Sequence, residues 1–174
     1  MDKNIFLETE RCYLRRMTFN DFGELAAMLQ DIEVMYAWEY SFGDEEVKEW
    51  INKNLERYNR CNSGYFLVED KISSNIFGQA ALMPDVVNGK EYYEIGYIFK
   101  KQYWHKGYAT ECARALVKYA FDKLNLSEVI FEIRPENTAS RNVAKRLGAC
   151  VEGKFVKNVR GKDMRHLIYK LYKN

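Results

Sequence analysis

Between Tyr93 and Ala120 a β-rich run, Tyr93-Glu-Ile-Gly-Tyr-Ile-Phe99, gives way to a short loop around Gly107 and then directly to an amphipathic helix. The loop, His105-Lys-Gly-Tyr-Ala-Thr110, therefore ends where a helix begins. Backbone N–H groups of a first helical turn have no partner within the helix, and the aligned peptide dipoles leave roughly half a positive charge there. That is the chemistry of an anion site, with phosphate as its natural guest. A dinucleotide fingerprint would need spaced glycines, but Gly107 stands alone in the loop, and no P-loop string occurs anywhere. A zinc site is not expected: Cys12, Cys61, Cys112 and Cys150 lie far apart, no C-x-x-C pair occurs, and only His105 and His166 could join them.

The elements that must hold this loop follow from hydrophobic spacing. Cys12 to Met17 reads as a strand, and Thr18-x-x-Asp21 as an N-cap signal before Phe22, Leu25, Ala26 and Leu29 at helical spacing. A second helix follows Gly43-Asp44, with Val47, Trp50, Ile51, Leu55 and Tyr58 on one face. Gly64 to Glu69 and Ile76 to Met83 form a hairpin, Val86 to Lys90 a turn, and Glu91 to Lys100 a fourth strand. The helix after Gly107 carries Ala113, Leu116, Val117, Ala120 and Leu124 on one side, and Glu128 to Arg134 is a strand ended by Pro135. Asn137 can cap a last helix that stops at Gly148, and Val151 to Arg160 with Lys162 to Tyr172 close the chain as a hairpin. This order predicts an α/β fold of the mixed α+β kind: a mixed sheet of about seven strands with helices on both faces. The strands at 91–100 and 128–134 should run parallel through a right-handed crossover, which sets the anion loop at a strand's carboxyl end.

With 174 residues, 47% of them hydrophobic and 30% charged, the chain fits one domain, 1–174, with no linker or repeat to divide it. No apolar run approaches a membrane span, and Met1-Asp2-Lys3-Asn4 opens no leader signal, so a cytoplasmic protein with reduced thiols is expected, without membrane partner. A net charge of +2 does not argue for nucleic acid. The exception in distribution is the C-terminal hairpin, with Lys154, Lys157, Arg160, Lys162, Arg165, Lys170 and Lys173. Those cations fit a solvated face, or else a contact with polyphosphate or an acidic substrate.

Four motifs in order, Tyr93 to Phe99, Tyr103-Trp-His-Lys-Gly-Tyr-Ala-Thr-Glu111, Pro135-Glu-Asn-Thr-Ala-Ser140 and Arg146-Leu-Gly-Ala149, resemble the GNAT superfamily of acyl-CoA-dependent N-acetyltransferases. Together with the opening Glu8 to Thr18, they resemble its branch of ribosomal-protein N-terminal acetyltransferases over nearly the whole chain. The resemblance implies a three-layer fold with two central parallel strands splayed apart, and acetyl-CoA as cosubstrate. Its pyrophosphate would rest on the amides of His105, Lys106, Gly107, Tyr108, Ala109 and Thr110, and its pantetheine arm would lie along Tyr97, Ile98 and Phe99 like an added strand. Asn137 and Ser140 would bond the arm near the sulfur, or serve only as helix cap and first-turn polar residue.

Further implications concern the chemistry. Glu94 resembles the family's acidic position and is the expected base, directly or through a water, with Glu132 on the neighbouring strand in reserve. Tyr36, Trp38, Tyr40 and Phe42 alternate where this fold walls the acceptor site, so Trp38 is expected to line it and Glu39 to hold an ammonium group. Two departures from the superfamily pattern stand out: Trp104 and His105 open the loop, and Ala144 stands where many members carry a tyrosine proton donor. The implied acceptor is a primary amine, either a protein N-terminus or a small molecule such as a polyamine, amino acid or aminoglycoside. A non-catalytic acyl-CoA-binding module and a nucleic-acid-associated protein are the rival classes, and a monomer or homodimer is expected.

Overall fold

The computed structural model describes residues 4–174, so Met1 to Lys3 of the opening read for a leader signal lie outside the described residues. Chain order runs β1 (Ile5–Glu8), β2 (Cys12–Arg15), α1 (Phe22–Leu29), α2 (Asp44–Cys61), β3 (Gly64–Asp70), β4 (Ile76–Val87), β5 (Lys90–Phe99), α3 (Tyr108–Asp122), β6 (Glu128–Ile133), α4 (Thr138–Arg146), β7 (Cys150–Val159) and β8 (Lys162–Tyr172). All eight strands join one sheet in the order β1-β2-β3-β4-β5-β6-β8-β7. Every neighbouring pair is antiparallel except β5 and β6, whose parallel ladder holds one registered pair, Glu94 with Ile130. Past that pair the two strands part, as the family resemblance implied.

The helices form where the sequence signals place them. Thr18 accepts from the N–H of Asn20 and Asp21 reaches back to Thr18, completing a capping box just ahead of α1. At α2 Glu46 makes half of such a box, accepting from the N–H of Gly43 at 2.8 Å. On α3, Cys112, Ala113, Leu116, Val117 and Ala120 are buried, which presses the helix flat on the sheet. Leu124, expected on that face, lies beyond the helix end and is 38% exposed. Trp50 of α2 donates from its indole N–H to Gln79 of β4, whereas the Tyr97 hydroxyl of β5 donates to the Ser140 carbonyl of α4. These contacts put α2 on one face and α4 on the other, α1 packs with α2 and α3 with α4, and the core includes Leu14, Phe66, Leu82, Ile95, Leu116, Phe131 and Tyr169.

Two differences from expectation have plain causes. The sheet has eight strands rather than about seven, because Ile5–Glu8 pairs with β2 as a four-residue edge strand too short to show a period. The stretch read as a turn over Val86 to Lys90 is mostly strand: Asn88 and Gly89, at φ 51° and 77°, make a two-residue hairpin that lets β4 and β5 run on to Val87 and Lys90. Asn-Gly is the sequence favoured for such a turn.

Candidate active site

The loop between β5 and α3 is shaped by two left-handed residues, His105 at φ 59° and Gly107 at φ 81°. Glycine takes this conformation freely and histidine is among the residues that tolerate it. Trp104 anchors the loop to the strand, its indole N–H donating to the Phe99 carbonyl at 2.8 Å. From the other side comes Arg11, in the β1–β2 turn. Its Nη1 donates to the Lys106 carbonyl at 3.0 Å, its Nε donates to Glu111 at 2.6 Å, and its guanidinium covers the Tyr108 ring at 4.1 Å. Glu111 also accepts from the Arg11 backbone N–H and the Thr9 hydroxyl. Burial alone would raise the Glu111 carboxyl, and these bonds outweigh it, so the group titrates below its ordinary range. The carbonyl side of the loop is thereby tied down. Among the described residues, no protein group bonds the amides of residues 105–110 at the helix start.

A cleft of about 710 Å³ opens from these amides along the free edge of β5. Of the residues singled out in the sequence, Tyr97, Ile98, Phe99, His105, Gly107, Tyr108, Ala109, Thr110, Asn137, Ser140 and Trp38 line it; Lys106, Glu94 and Glu39 do not. Asn137 caps α4 by accepting from the Ser140 N–H at 3.1 Å, and the same oxygen accepts from the Tyr36 hydroxyl at 2.7 Å. Tyr36 thus joins the turn that carries Trp38 to the α4 cap. Arg11, Arg114 and Arg146 also line the cleft and favour an anionic guest. Sequence spacing gave no signal for Arg11, nor for the bond from Tyr36 to Asn137; these contacts span 95 and 101 positions.

Glu39 has a different setting from the one expected. Its carboxylate is shared between Arg134, at 3.2 Å, and Lys162. Arg134 also donates to the Ala37 carbonyl, so these bonds fasten the turn that carries Trp38. The tip of the β7–β8 hairpin closes over the same turn, with Arg160 paired to Glu46 and lying 3.7 Å over the Tyr40 ring.

Glu94 lies three residues before Tyr97, roughly 10 Å along the strand, and its register with Met83 puts it on the α2 face. There it meets Asp85 of β4 and Glu132 of β6, the three carboxylates having oxygens within 4.8 Å of one another. Lys157 of β7 donates to Glu132 at 2.9 Å. The other Glu132 oxygen is buried without a partner among the described residues. Burial, then the neighbouring Glu132 charge, pushes the Glu94 carboxyl up to about 8. Burial, then Asp85, pushes Glu132 up to about 7 despite Lys157. Two neighbouring carboxyl groups whose charges repel can share and hand on a proton.

The sequence profile of the Acetyltransferase (GNAT) domain matches residues 11–149. The Bacillus subtilis protein named uncharacterized N-acetyltransferase YnaD is 33% identical over 152 residues, covering 87% of this chain and 86% of that one. The crystal structure of a GNAT-family acetyltransferase from Bacillus anthracis superposes with a TM-score of 0.81 at 28% identity, covering 97% of this chain and 98% of the other. A ribosomal L7/L12 alpha-N-protein acetyltransferase solved in complex with coenzyme A has the same fold, with a TM-score of 0.79 at 17% identity and 97% coverage of both chains.

Proposed function

The chain belongs to the GNAT acetyltransferases, and from that premise we propose that it moves an acetyl group from acetyl-CoA to a protein N-terminal amine by direct attack in a ternary complex. It is an acetyl-CoA-dependent N-acetyltransferase. The observation that carries the site assignment is the run of unengaged amides from His105 to Thr110, opening on a cleft whose wall is the unpaired edge of β5. Those features fit the cosubstrate. A pyrophosphate suits the helix start, the cleft arginines offset its charge, and an amide-bearing arm can pair with Tyr97, Ile98 and Phe99 as a strand would. Asn137 and Ser140 then flank the arm near the sulfur.

In this reading the acceptor enters from the α2 face, past Trp38, and meets the thioester in the gap between β5 and β6. A backbone N–H near Tyr97 steadies the oxyanion as the amine nitrogen bonds the acyl carbon and the C–S bond breaks. The thiolate takes a proton readily, since a thiol titrates near 8.5, so the absence of a tyrosine at Ala144 is tolerable. Glu94 receives the other proton, and its distance from Tyr97 favours transfer through water. An α-amine titrates at about 7.7 to 8.0, close to a base at about 8, whereas a lysine amine near 10.4 would give up its proton far less readily to the same group. That match supports the N-terminal acceptor over a lysine side chain. Glu39 fixes the Trp38 turn in this reading and does not hold the ammonium.

The same reading takes residues 1–174 as one acetyltransferase domain, working in the cytoplasm as a monomer or homodimer. Free thiols at Cys12, Cys61, Cys112 and Cys150 are in keeping with that compartment. The test is a panel of N-terminal peptides, polyamines, amino acids and aminoglycosides, scored by release of the CoA thiol. Peptides are expected to give the highest kcat/KM. A small amine that outperforms every peptide would move the acceptor to that class, and thioester binding without thiol release would make the protein a binding module.

A further inference from the structure

We propose that Asp85 and Glu132 are positioning residues for Glu94: the three carboxylates hold a shared proton on the α2 face of the sheet, and Lys157 limits how firmly it is held. The proposal rests on the acetyltransferase reading above and extends it from one base to a unit drawn from four strands. Geometry carries it. Asp85, Glu94 and Glu132 come from β4, β5 and β6, and their oxygens lie within 4.8 Å of one another. The Glu132 side chain is only 2% exposed, and one of its oxygens has no donor among the described residues. An ionised oxygen buried without a donor is costly, and a proton shared with a neighbouring carboxylate removes that cost. The other charged and titratable groups near Glu94 are Arg57 of α2, Tyr65 of β3 and Lys157 of β7. Lys157 is the one that bonds the cluster, and it stays protonated because the three carboxylates outweigh its burial.

The chemistry balances as follows. The acceptor ammonium loses one proton through water to the ionised form of Glu94, and the free amine attacks. The second nitrogen-bound proton leaves as the C–N bond forms and ends on the CoA sulfur. The cluster then returns the first proton to solvent. Like-charged neighbours raise the basicity of Glu94 toward that of an α-amine, and the ammonium of Lys157 keeps it from rising further.

The experiment is the pH profile of kcat/KM for the full chain, using the best amine of the panel, with coenzyme A binding measured by calorimetry in each variant. In the wild type the rate should rise with pH through about 8 as Glu94 loses its proton. Asp85→Asn and Glu132→Gln each remove a negative neighbour and should move that limb to lower pH by about one unit. Lys157→Met removes the cation and should move it to higher pH. Opposed shifts with unaltered coenzyme A binding support the proposal, because a merely structural role would not give them opposite signs. A limb that stays in place in Glu132→Gln and Lys157→Met, each shown to be folded by coenzyme A binding, overturns it even if Asp85→Asn does not fold. Loss of rate on chelation, restored by a divalent cation, overturns it too, by making the cluster a metal site. Glu94→Gln separates the two levels. An unchanged rate removes the base assignment itself, whereas a lost rate with unmoved limbs in the neighbours removes only the shared proton.

Discussion

Arg11 bonds both the Lys106 carbonyl and the Glu111 carboxylate, so removing its guanidinium frees the anion loop at two points while leaving every loop amide in place. Charge-assisted bonds of this kind contribute about 1.5–3 kcal/mol each when buried, and a partly exposed pair less. Arg11→Ala should therefore raise the KM for acetyl-CoA by about tenfold, with kcat at saturation changed little; steady-state kinetics with both substrates varied would read this, and an unaltered KM would show that the loop holds its shape alone. Trp38 sits on the opposite wall. Trp38→Ala should raise the acceptor KM more than the acetyl-CoA KM, and equal effects would make the side chain packing only. At this scale the sequence disclosed the loop, since Gly107 and the helix behind it are consecutive. It did not disclose Arg11, the Asn137 partner of Tyr36 or the setting of Glu39, because those contacts are brought together only by the fold. The Asp85–Glu94–Glu132 cluster was half visible: Glu94 and Glu132 stood on strands expected to be neighbours, and Asp85 fell in a stretch read as leading into a turn.

Elements are joined to one another by a second buried ion network. Arg15 of β2 donates to Asp21, ahead of α1, at 2.7 Å and to Glu69 of β3 at 2.7 Å, with the three side chains 15%, 11% and 5% exposed. Burial alone would raise the Asp21 carboxyl, but its bonds to Arg15 and to the Thr18 N–H prevail and hold it below its usual range. A carboxyl depressed in the folded state adds stability that is present above its unfolded value of about 3.9 and lost as pH falls through the folded value. Asp21→Asn should thus cost stability at pH 7 and much less near pH 2, as urea midpoints at the two pH values would show; equal costs would remove the ion pair from the account. Element existence was legible throughout α1 to α4, because each has an apolar face at helical spacing. Boundaries were not. Asn88-Gly89 lengthened two strands past their expected ends, and β1 needed a partner across the sheet edge before it could be a strand at all.

On the scale of the whole molecule, the sheet consists of two leaves. Strands β1 to β5 make one and β6, β8 and β7 the other, and the single Glu94–Ile130 pair is the registered ladder contact between them. The side-chain core bridges the leaves, Leu82 and Ile95 on one and Val129, Phe131 and Tyr169 on the other. This parting was expected only through the family resemblance; periodicity gives a strand's faces but not the places where its neighbour leaves it. Backbone groups that lack a ladder partner are open to water, so deuterium should enter the seam-facing amides of Tyr97 to Phe99 and of Glu132 and Ile133 sooner than those of β3 and β4. Saturating coenzyme A should slow that uptake in β5 while barely altering β7 and β8, and uniform protection in the free protein would contradict the description of an open seam. A clasp of this design has a cost in reserve strength. Without its guest the molecule relies mainly on the packed interior to keep its halves aligned, so changes that loosen Val129 or Phe131 should be tolerated better in cells rich in CoA thioesters than in starved ones.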